Sequence, residues 1–444
     1  MTRGLVIASP HSGSGKTTLT LGLLRALKRS GHRVVSAKSG PDYIDPAFHA
    51  AASGAPCLNL DAWAMRPTLL DALVRHLSDA GDLVICEGAM GLFDGVGGTE
   101  MGSTAELAAR FGWPVVLVLE ASRQGASIAA LLEGFVHHRD DVQVAGVIFN
   151  RIGSDRHGAI LAAATRAVLP ELAILGSVPR DALLALPHRH LGLVQASEHG
   201  NLETFLDHAA SAFHDTCDLP ALAALARPAR LGPTNEMVAP LPPLGQRIAV
   251  ARDAAFGFAY ASVLEGWRAA GADLTFFSPL GDEAPAEDAD AVYLPGGYPE
   301  LHAGRLAASE RFLQGMRTSA ACGAVIYGEC GGFMVLGQGL IDADDKRHRM
   351  AGLLPVATSF AKPALHLGYR EMRLAAATPL GPAGAAFRGH EFHYASLAES
   401  EGRPLFQASD GEGASLDAAG AIQGSVMGSF MHLIDRAELS ARNG

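Results

Sequence analysis

The segment Ser12–Thr18, SGSGKTT, stands between a short apolar run, Gly4–Ser9, and the helical pattern LTLGLLRALKRSG. It constrains the fold more than any other feature. A strand, a glycine turn, a Lys-Thr-Thr and a helix make the latter half of a P-loop, in which backbone N–H groups at a helix start face phosphate oxygens. Gly13, Ser14 and Gly15 form the cradle, Lys16 reaches the terminal phosphates, the Thr17 hydroxyl is placed to ligate Mg²⁺, and Thr18 closes the set. The pattern departs from G-x-x-x-x-G-K-[ST] at its first glycine, where the chain has Pro10. The loop is a variant, like those of small ATP-using synthetases and partition ATPases.

The rest of the N-terminal half agrees with such a site. GLVIAS, RVVSAK, DLVICE, PVVLVLE, VAGVIFN and LAILGSVP alternate with longer helical patterns, which predicts a parallel sheet covered by helices. From Leu219 to Gln246 the chain turns rich in Ala, Leu and Pro, with breakers at Pro233, Pro240, Pro242 and Pro243. The expected division is therefore a first domain over 1–218, a linker over 219–246 and a second α/β domain over 247–444. The second domain opens with RIAVARD, continues through a helix-like stretch from Phe256 to Ala270, then DLTFFSP, AVYLPGG and GAVIYGECGG, and ends in short strands that predict a mixed or antiparallel sheet edge.

Composition removes several function classes. A net charge of −11 offers no basic field for nucleic acid or an anionic membrane. Five cysteines without a C-x-x-C pair suggest neither a disulfide framework nor a zinc knuckle. No apolar run approaches the roughly 20 residues of a membrane span, and the N-terminus enters a strand without a signal-peptide core. The expectation is a cytoplasmic enzyme with reduced thiols.

Ligands of parallel α/β sheets gather at the carboxyl ends of strands, and the acids there are informative. KSGPDYIDP sets Lys38, Asp42 and Asp45 beyond one strand; CEGAMGLFDG sets Glu87 and Asp94 beyond another. Mg²⁺ takes one or two carboxylates besides phosphate oxygens, so Thr17 with Asp42 or Glu87 is the expected metal shell. Asp45 and Asp94 either orient an acceptor, polarise a water or cap helices. Ser103–Glu106, STAE, reads as a capping box, and His11 as a solvated loop residue.

The second domain carries a different chemistry. In YGECGGFMVLG, Cys330 lies between a buried strand and two glycines that open an apolar helix, an arrangement analogous to a nucleophile elbow. The helix start and a nearby imidazole would favour the thiolate. His432 in GSFMHLID is the first choice of base, with His390 and His393 of GHEFHY as competitors. Backbone N–H groups at Gly296, Gly297 or Tyr298, in LPGGYPE, are placed to hold the oxyanion formed when a thiolate adds to an amide.

Taken in order, SGSGKTT, KSGPDYIDP, CEGAMGLFDG, PHRHLGL (Pro187–Leu193), LPGGYPE, YGECGGFM and GHEFHY resemble the cobyrinate and hydrogenobyrinate a,c-diamide synthase family of corrinoid amidotransferases, over essentially the whole chain. The resemblance implies a dethiobiotin-synthetase-like P-loop domain followed by a class I glutamine amidotransferase-like domain. It implies that Cys330 and His432 release ammonia from glutamine, that ATP and Mg²⁺ activate carboxylates of a hydrogenobyrinic or cobyrinic acid macrocycle, and that Tyr43, Asp45 and Asp94 face that substrate while Glu87 serves the metal. Many glutaminases have a Glu two residues after the His. Here that position is Ile434, followed by Asp435, so the third member of the site is open. His190 and Gly368–Arg370 are further candidates for the macrocycle's carboxylates. The resemblance allows a homodimer. Rival readings are the same chemistry on another tetrapyrrole, such as a nickel sirohydrochlorin, and a nucleotide switch whose second domain senses glutamine.

Overall fold

The computed structural model describes residues 2–186, 188–189, 192–193, 195–233 and 238–437. The chain forms two units, one of Met1–Trp63 with Leu70–Glu236 and the other of Ala64–Leu69 with Met237–Gly444.

The first unit is built on one sheet. Its strands run, from edge to edge, Cys57–Leu60, Val34–Ser39, Leu83–Glu87, Arg3–Ala8, Val115–Glu120, Val144–Ile152 and Ala173–Pro179, all parallel. The interior strands are almost wholly buried, as their unbroken Val, Ile and Leu runs require. Cys57–Leu60 is an edge strand that the apolar-run reading omits; it is four residues long and holds Asn59, whose amide bonds the Gly40 and Asp42 carbonyls. After Arg3–Ala8 the order turns from one side of the sheet to the other, with Leu83–Glu87 and Val115–Glu120 flanking it. This is a switch point, and the crevice it leaves at the carboxyl ends is where the glycine loop lies.

The helix Lys16–Arg29 lies close against Leu202–Thr216, and a Cβ on Gly22 would sit 2.7 Å from the Ala209 carbonyl oxygen. Within the stretch read as a linker, Leu219–Leu225 is helical and Arg227–Pro228 pairs antiparallel with Arg3–Gly4. The side chain of Asp218 caps that helix and supplies the local order that its composition does not advertise.

The second unit holds a six-stranded sheet in the order Asp273–Phe277, Arg247–Ala251, Ala291–Leu294, Val325–Glu329, Val426–Ser429 and Ala421–Gln423, parallel except for the last strand. Two four-stranded sheets follow, one of them the wholly antiparallel set Phe406–Asp410, His366–Leu374, Ala386–His393 and Met431–Arg436. The stretch Phe256–Ala270 is helical only from Ala261 to Ala269. Phe256 is instead buried in the core with Val292, Leu294, Ile326 and Phe333. No helix among the described residues is long and apolar enough to cross a membrane.

Candidate active sites

In the first unit, Gly13 and Gly15 adopt φ of 81° and 85°, the left-handed region that a side chain resists, and Gly15 caps the helix Lys16–Arg29. A Cβ on Gly15 would strike the Asn150 amide, which donates to the Ser14 carbonyl at 2.8 Å, while Arg151 donates to the Gly13 carbonyl at 3.0 Å. These two residues end the strand Val144–Ile152 and hold the loop from behind. Lys16 Nζ donates to the Met90 carbonyl at 2.8 Å and to Ser9 Oγ at 3.2 Å. Burial, followed by repulsion from Lys38, lowers its pKa to about 8. Ser14 turns its hydroxyl to the His11 carbonyl, and Thr18 its own to the Leu184 carbonyl.

Behind the loop lies a buried charge cluster. Thr17 Oγ1 donates to Glu87 Oε1 at 2.6 Å, Lys38 Nζ reaches Glu87 Oε1 at 2.8 Å and Asp45 Oδ2 at 2.6 Å, and His49 Nε2 meets Glu87 Oε2 at 2.7 Å. Burial alone would raise the Glu87 carboxyl; Lys38 and His49 overcome it and hold the group well below the usual carboxylate range. Asp45 shifts the other way, pushed up by burial and by Asp42. Asp42 Oδ1 accepts the N–H groups of Ile44 and Asp45 at 2.8 and 2.9 Å, in the turn that leads into the helix Asp45–Ser53. Asp94 Oδ2 accepts the Gly91 N–H at 2.8 Å and so shapes the glycine-rich turn. Tyr43 is half-buried in the turn between Asp42 and Asp45. The structure thus joins Thr17 to Glu87 directly and commits one oxygen each of Asp42 and Asp94 to the backbone. Ser103 accepts the Glu106 N–H as a capping box requires, though Glu106 returns its bond to Gly102.

An ionised carboxylate at hydrogen-bond distance from a P-loop hydroxyl fits a divalent cation bound with phosphate. Three residues of this site escape sequence reasoning: His49, Asn150 and Arg151. His49 is legible in retrospect, since it follows Asp45 by four positions on one helix face. Asn150 and Arg151 had a weaker signal in their place at the carboxyl end of a parallel strand.

In the second unit the elbow is tight. Cys330 has φ 47° and ψ −104°, a conformation that costs a non-glycine residue about 1–3 kcal/mol, at the start of the helix Gly331–Leu336. Its glycine neighbours allow the turn: a Cβ on Gly328 would lie 2.8 Å from the Gly332 carbonyl carbon, and one on Gly332 would strike the Leu294 carbonyl oxygen. Gly296 closes the other side. A Cβ there would overlap the His432 ring at Cε1, 3.0 Å from Nε2 and 3.2 Å from Cys330 Cβ. The His432 ring and the Cys330 side chain therefore both pack against Gly296. The Gly297 nitrogen lies 3.1 Å from where a Cβ of Gly331 would be, so this backbone also faces the elbow, while Tyr298 is buried edge-on against Phe258.

Both side chains are sealed from solvent, Cys330 at 1% exposure and His432 at 0%. Burial, aided by Glu300, raises the thiol far above its ordinary value, and burial followed by His390 and His393 pushes His432 down to about 3. The resting pair is a thiol and a neutral imidazole. The thiolate favoured by a helix start is outweighed here because the helix is one and a half turns long and the site is dry. The competing histidines lie on the strand paired beside His432 and have partners of their own. His393 donates from Nδ1 to the Ala395 carbonyl at 2.9 Å and meets Glu391 at 2.9 Å through Nε2, and His390 packs edge-on against Tyr369. Arg370, of the Gly368–Arg370 candidate, is paired with Glu391 at 2.7 Å. His366, Glu391 and His393 bring three potential metal-ligand atoms within 4.8 Å of one another. The two histidine rings stack at 4.7 Å and 10°. Asp435 takes the Arg66 guanidinium at 2.8–3.1 Å. Pro187, His190 and Leu191 of the PHRHLGL motif lie outside the described residues.

Comparison with known proteins gives the same two-part division of chemistry. Residues 5–194 match the CobQ/CobB/MinD/ParA nucleotide binding domain, and residues 247–438 the CobB/CobQ-like glutamine amidotransferase domain. A protein of Brucella anthropi named hydrogenobyrinate a,c-diamide synthase is 54% identical over 436 residues, 98% of this chain and 98% of its own. A protein of the same name from Rhizobium meliloti is 54% identical over 441 residues, 98% of this chain and all of its own, and one from Mesorhizobium japonicum is 52% identical over 439.

Proposed function

The chain belongs to the hydrogenobyrinate a,c-diamide synthase family, and from that premise we propose that it is an ATP- and glutamine-dependent ligase that converts the a and c acetate carboxylates of hydrogenobyrinic acid to amides. We assign the synthetase to residues 1–218, the amidotransferase to 247–444, and the segment between them to their connection. The observation that carries the reading is the packing of Cys330 and His432 against the same glycine, Gly296, in a chain whose other unit bears a P-loop.

In the amidotransferase, His432 Nε2 takes the thiol proton of Cys330 as the sulfur adds to the glutamine side-chain carbonyl. The N–H groups at Gly296 and Gly297 are suited to hold the oxyanion. Collapse of the adduct expels ammonia, which leaves with the proton from His432, and the glutamyl thioester is hydrolysed. In the synthetase, Gly13–Thr18 bind the ATP phosphates, and the γ-phosphoryl passes to a substrate carboxylate to give an acyl phosphate. Ammonia displaces phosphate from that carbon and forms the amide. Thr17, with Glu87 or Asp42, would hold Mg²⁺, which would neutralise phosphate charge. Tyr43, Asp45 and Asp94 line the acceptor's side of this site. Activation is needed because a carboxylate is a poor acyl donor, and delivery as free ammonia because ammonium is not a nucleophile. The work takes place in the cytoplasm.

The test is product mass after incubation with Mg-ATP, glutamine and either hydrogenobyrinic or cobyrinic acid. Two acid-to-amide conversions on the metal-free macrocycle are expected, with Cys330→Ala retaining them only when ammonium is supplied. ATP hydrolysis without amidation of either macrocycle would overturn the reading.

A further inference from the structure

The position two residues after His432, where many glutaminases keep an acid, is Ile434, and Asp435 is bound to Arg66. The imidazole nevertheless faces a carboxylate. Glu329, the residue before the nucleophile, brings Oε2 to 3.8 Å from His432 Nδ1, with both side chains buried. The ring's Cε1 and Nε2 lie against Gly296, beside which Cys330 also packs. We propose that Glu329 is the positioning acid of the glutaminase site, holding His432 through Nδ1 and balancing the positive charge it gains when it takes the cysteine proton. The proposal rests on the glutaminase reading given above.

The carboxylate is built in. Tyr293 donates its hydroxyl to Oε2 at 2.7 Å, Tyr327 donates its hydroxyl to Oε1 at 3.0 Å, and the backbone N–H of Leu433 donates to Oε1 at 3.0 Å. Leu433 follows His432 directly, so the same acid fixes both the ring and the backbone of the base. The two tyrosine rings stack at 6.0 Å and 13°, which makes their hydroxyls a rigid pair of donors. A carboxylate with this much scaffolding is more ordered than one needed only to fill a core. At 3.8 Å the Nδ1 contact is an ion pair in waiting; catalytic contacts of this kind tighten when charge develops.

The charged and titratable groups facing His432 are few. Glu329 comes from the strand Val325–Glu329 and Cys330 from the elbow after it; His390, Glu391 and His393 come from the strand Ala386–His393 paired beside His432. Glu391 is spent on Arg370 and His393. Burial lifts Glu329 to about 7 against the lowering effect of its three donors. His432, at about 3, is already neutral in that range, and the thiol is still protonated. Ionised Glu329 is the form that stabilises the imidazolium. Glutaminase activity should therefore rise with pH through about 7 as Glu329 loses its proton.

The experiment compares the full-length wild type with Glu329→Gln, Glu329→Asp and Tyr327→Phe, scoring glutamine-dependent amidation across pH and, in parallel, ammonium-dependent amidation. Glu329→Gln is expected to lose about 10²-fold or more in kcat with little change in KM for glutamine, to lose the rise near neutrality, and to keep its ammonium-dependent rate. Glu329→Asp should recover part of the rate together with the pH-dependent rise. Tyr327→Phe removes a donor that lowers the Glu329 pKa, so the rise should move to higher pH. A Glu329→Gln enzyme with wild-type kcat and an unchanged pH profile would overturn the proposal. Should Glu329→Gln fail to fold, Tyr327→Phe decides: an unmoved profile rejects the acid's role. If the wild type uses ammonium but not glutamine, the glutaminase reading itself has failed, which is a different result from any of these.

Discussion

Lys38 is a buried cation between two buried carboxylates, and His49 supplies a second positive charge from the far side of Glu87. Charges taken out of water persist only when paired, and this set pairs all four. Burial alone would lower the His49 pKa, but Cys57 and Glu87 together raise it to about 10 from the ordinary 6.5. A group whose folded pKa is raised stabilises the fold fully below its unfolded pKa and loses that contribution as pH climbs through the folded one. The wild type should therefore lose stability between about pH 6.5 and pH 10 partly through His49. His49→Gln should be less stable at neutrality and should show a shallower decline, read from urea midpoints along a pH series. An equally steep decline in the variant would place the titration elsewhere. His49 also shows why part of a buried network is hidden in a sequence. Lys38, Asp45 and Glu87 stand at strand ends, where ligands gather, whereas His49 looks like any polar residue of an Ala-rich helix until Asp45–Ser53 folds over the strand ends.

At the scale of elements, parallel strands were legible because each is an unbroken apolar run bounded by a helix pattern; Cys57–Leu60 was not, because an edge strand of four residues with an Asn carries no such run. The elbow was legible from its strand, cysteine and glycines. What composition could not supply was the exact helix length after it, or the ordered Leu219–Leu225 helix in a stretch rich in breakers. Nor could it supply the long-range pairing that brings Met431–Arg436 beside Ala386–His393, which sets His432 against the elbow. Helix contacts were equally silent. Gly22 sits mid-helix, where Ala would gain about 1 kcal/mol of helix propensity. Its Cβ, however, would come 2.7 Å from the Ala209 carbonyl oxygen, and backbone cannot swing aside as a side chain can. Overpacking of this kind costs about 1–3 kcal/mol, so the contact should outweigh the propensity. Gly22→Ala is expected to lower the melting temperature of the first unit by about 2–4 °C, followed by calorimetry. A higher melting temperature would mean that the two helices part at little cost.

For the whole molecule, the consequence of coupling two chemistries in one chain is a difference in how each nitrogen source responds to pH. Ammonium must lose its proton before it can attack an acyl phosphate, and below its pKa each unit of pH raises the free base by about tenfold. In the proposed mechanism glutamine instead delivers nitrogen as ammonia, since the proton that leaves with it is the one assigned to transfer from Cys330 through His432. If that ammonia is consumed before it equilibrates with water, the glutamine-supported rate follows the glutaminase, with its rise near neutrality and a plateau above. The ammonium-supported rate of Cys330→Ala should keep climbing. The ratio of the two should fall as pH rises from the glutaminase plateau towards the pKa of ammonium, and level off above it, scored by product mass with saturating Mg-ATP and macrocycle. A constant ratio would mean that released ammonia mixes with solvent before use. Lys16→Met separates the two steps from the other side: with the phosphate contact gone, amidation from both sources should fall together, leaving glutamine hydrolysis as the measure of the second unit alone.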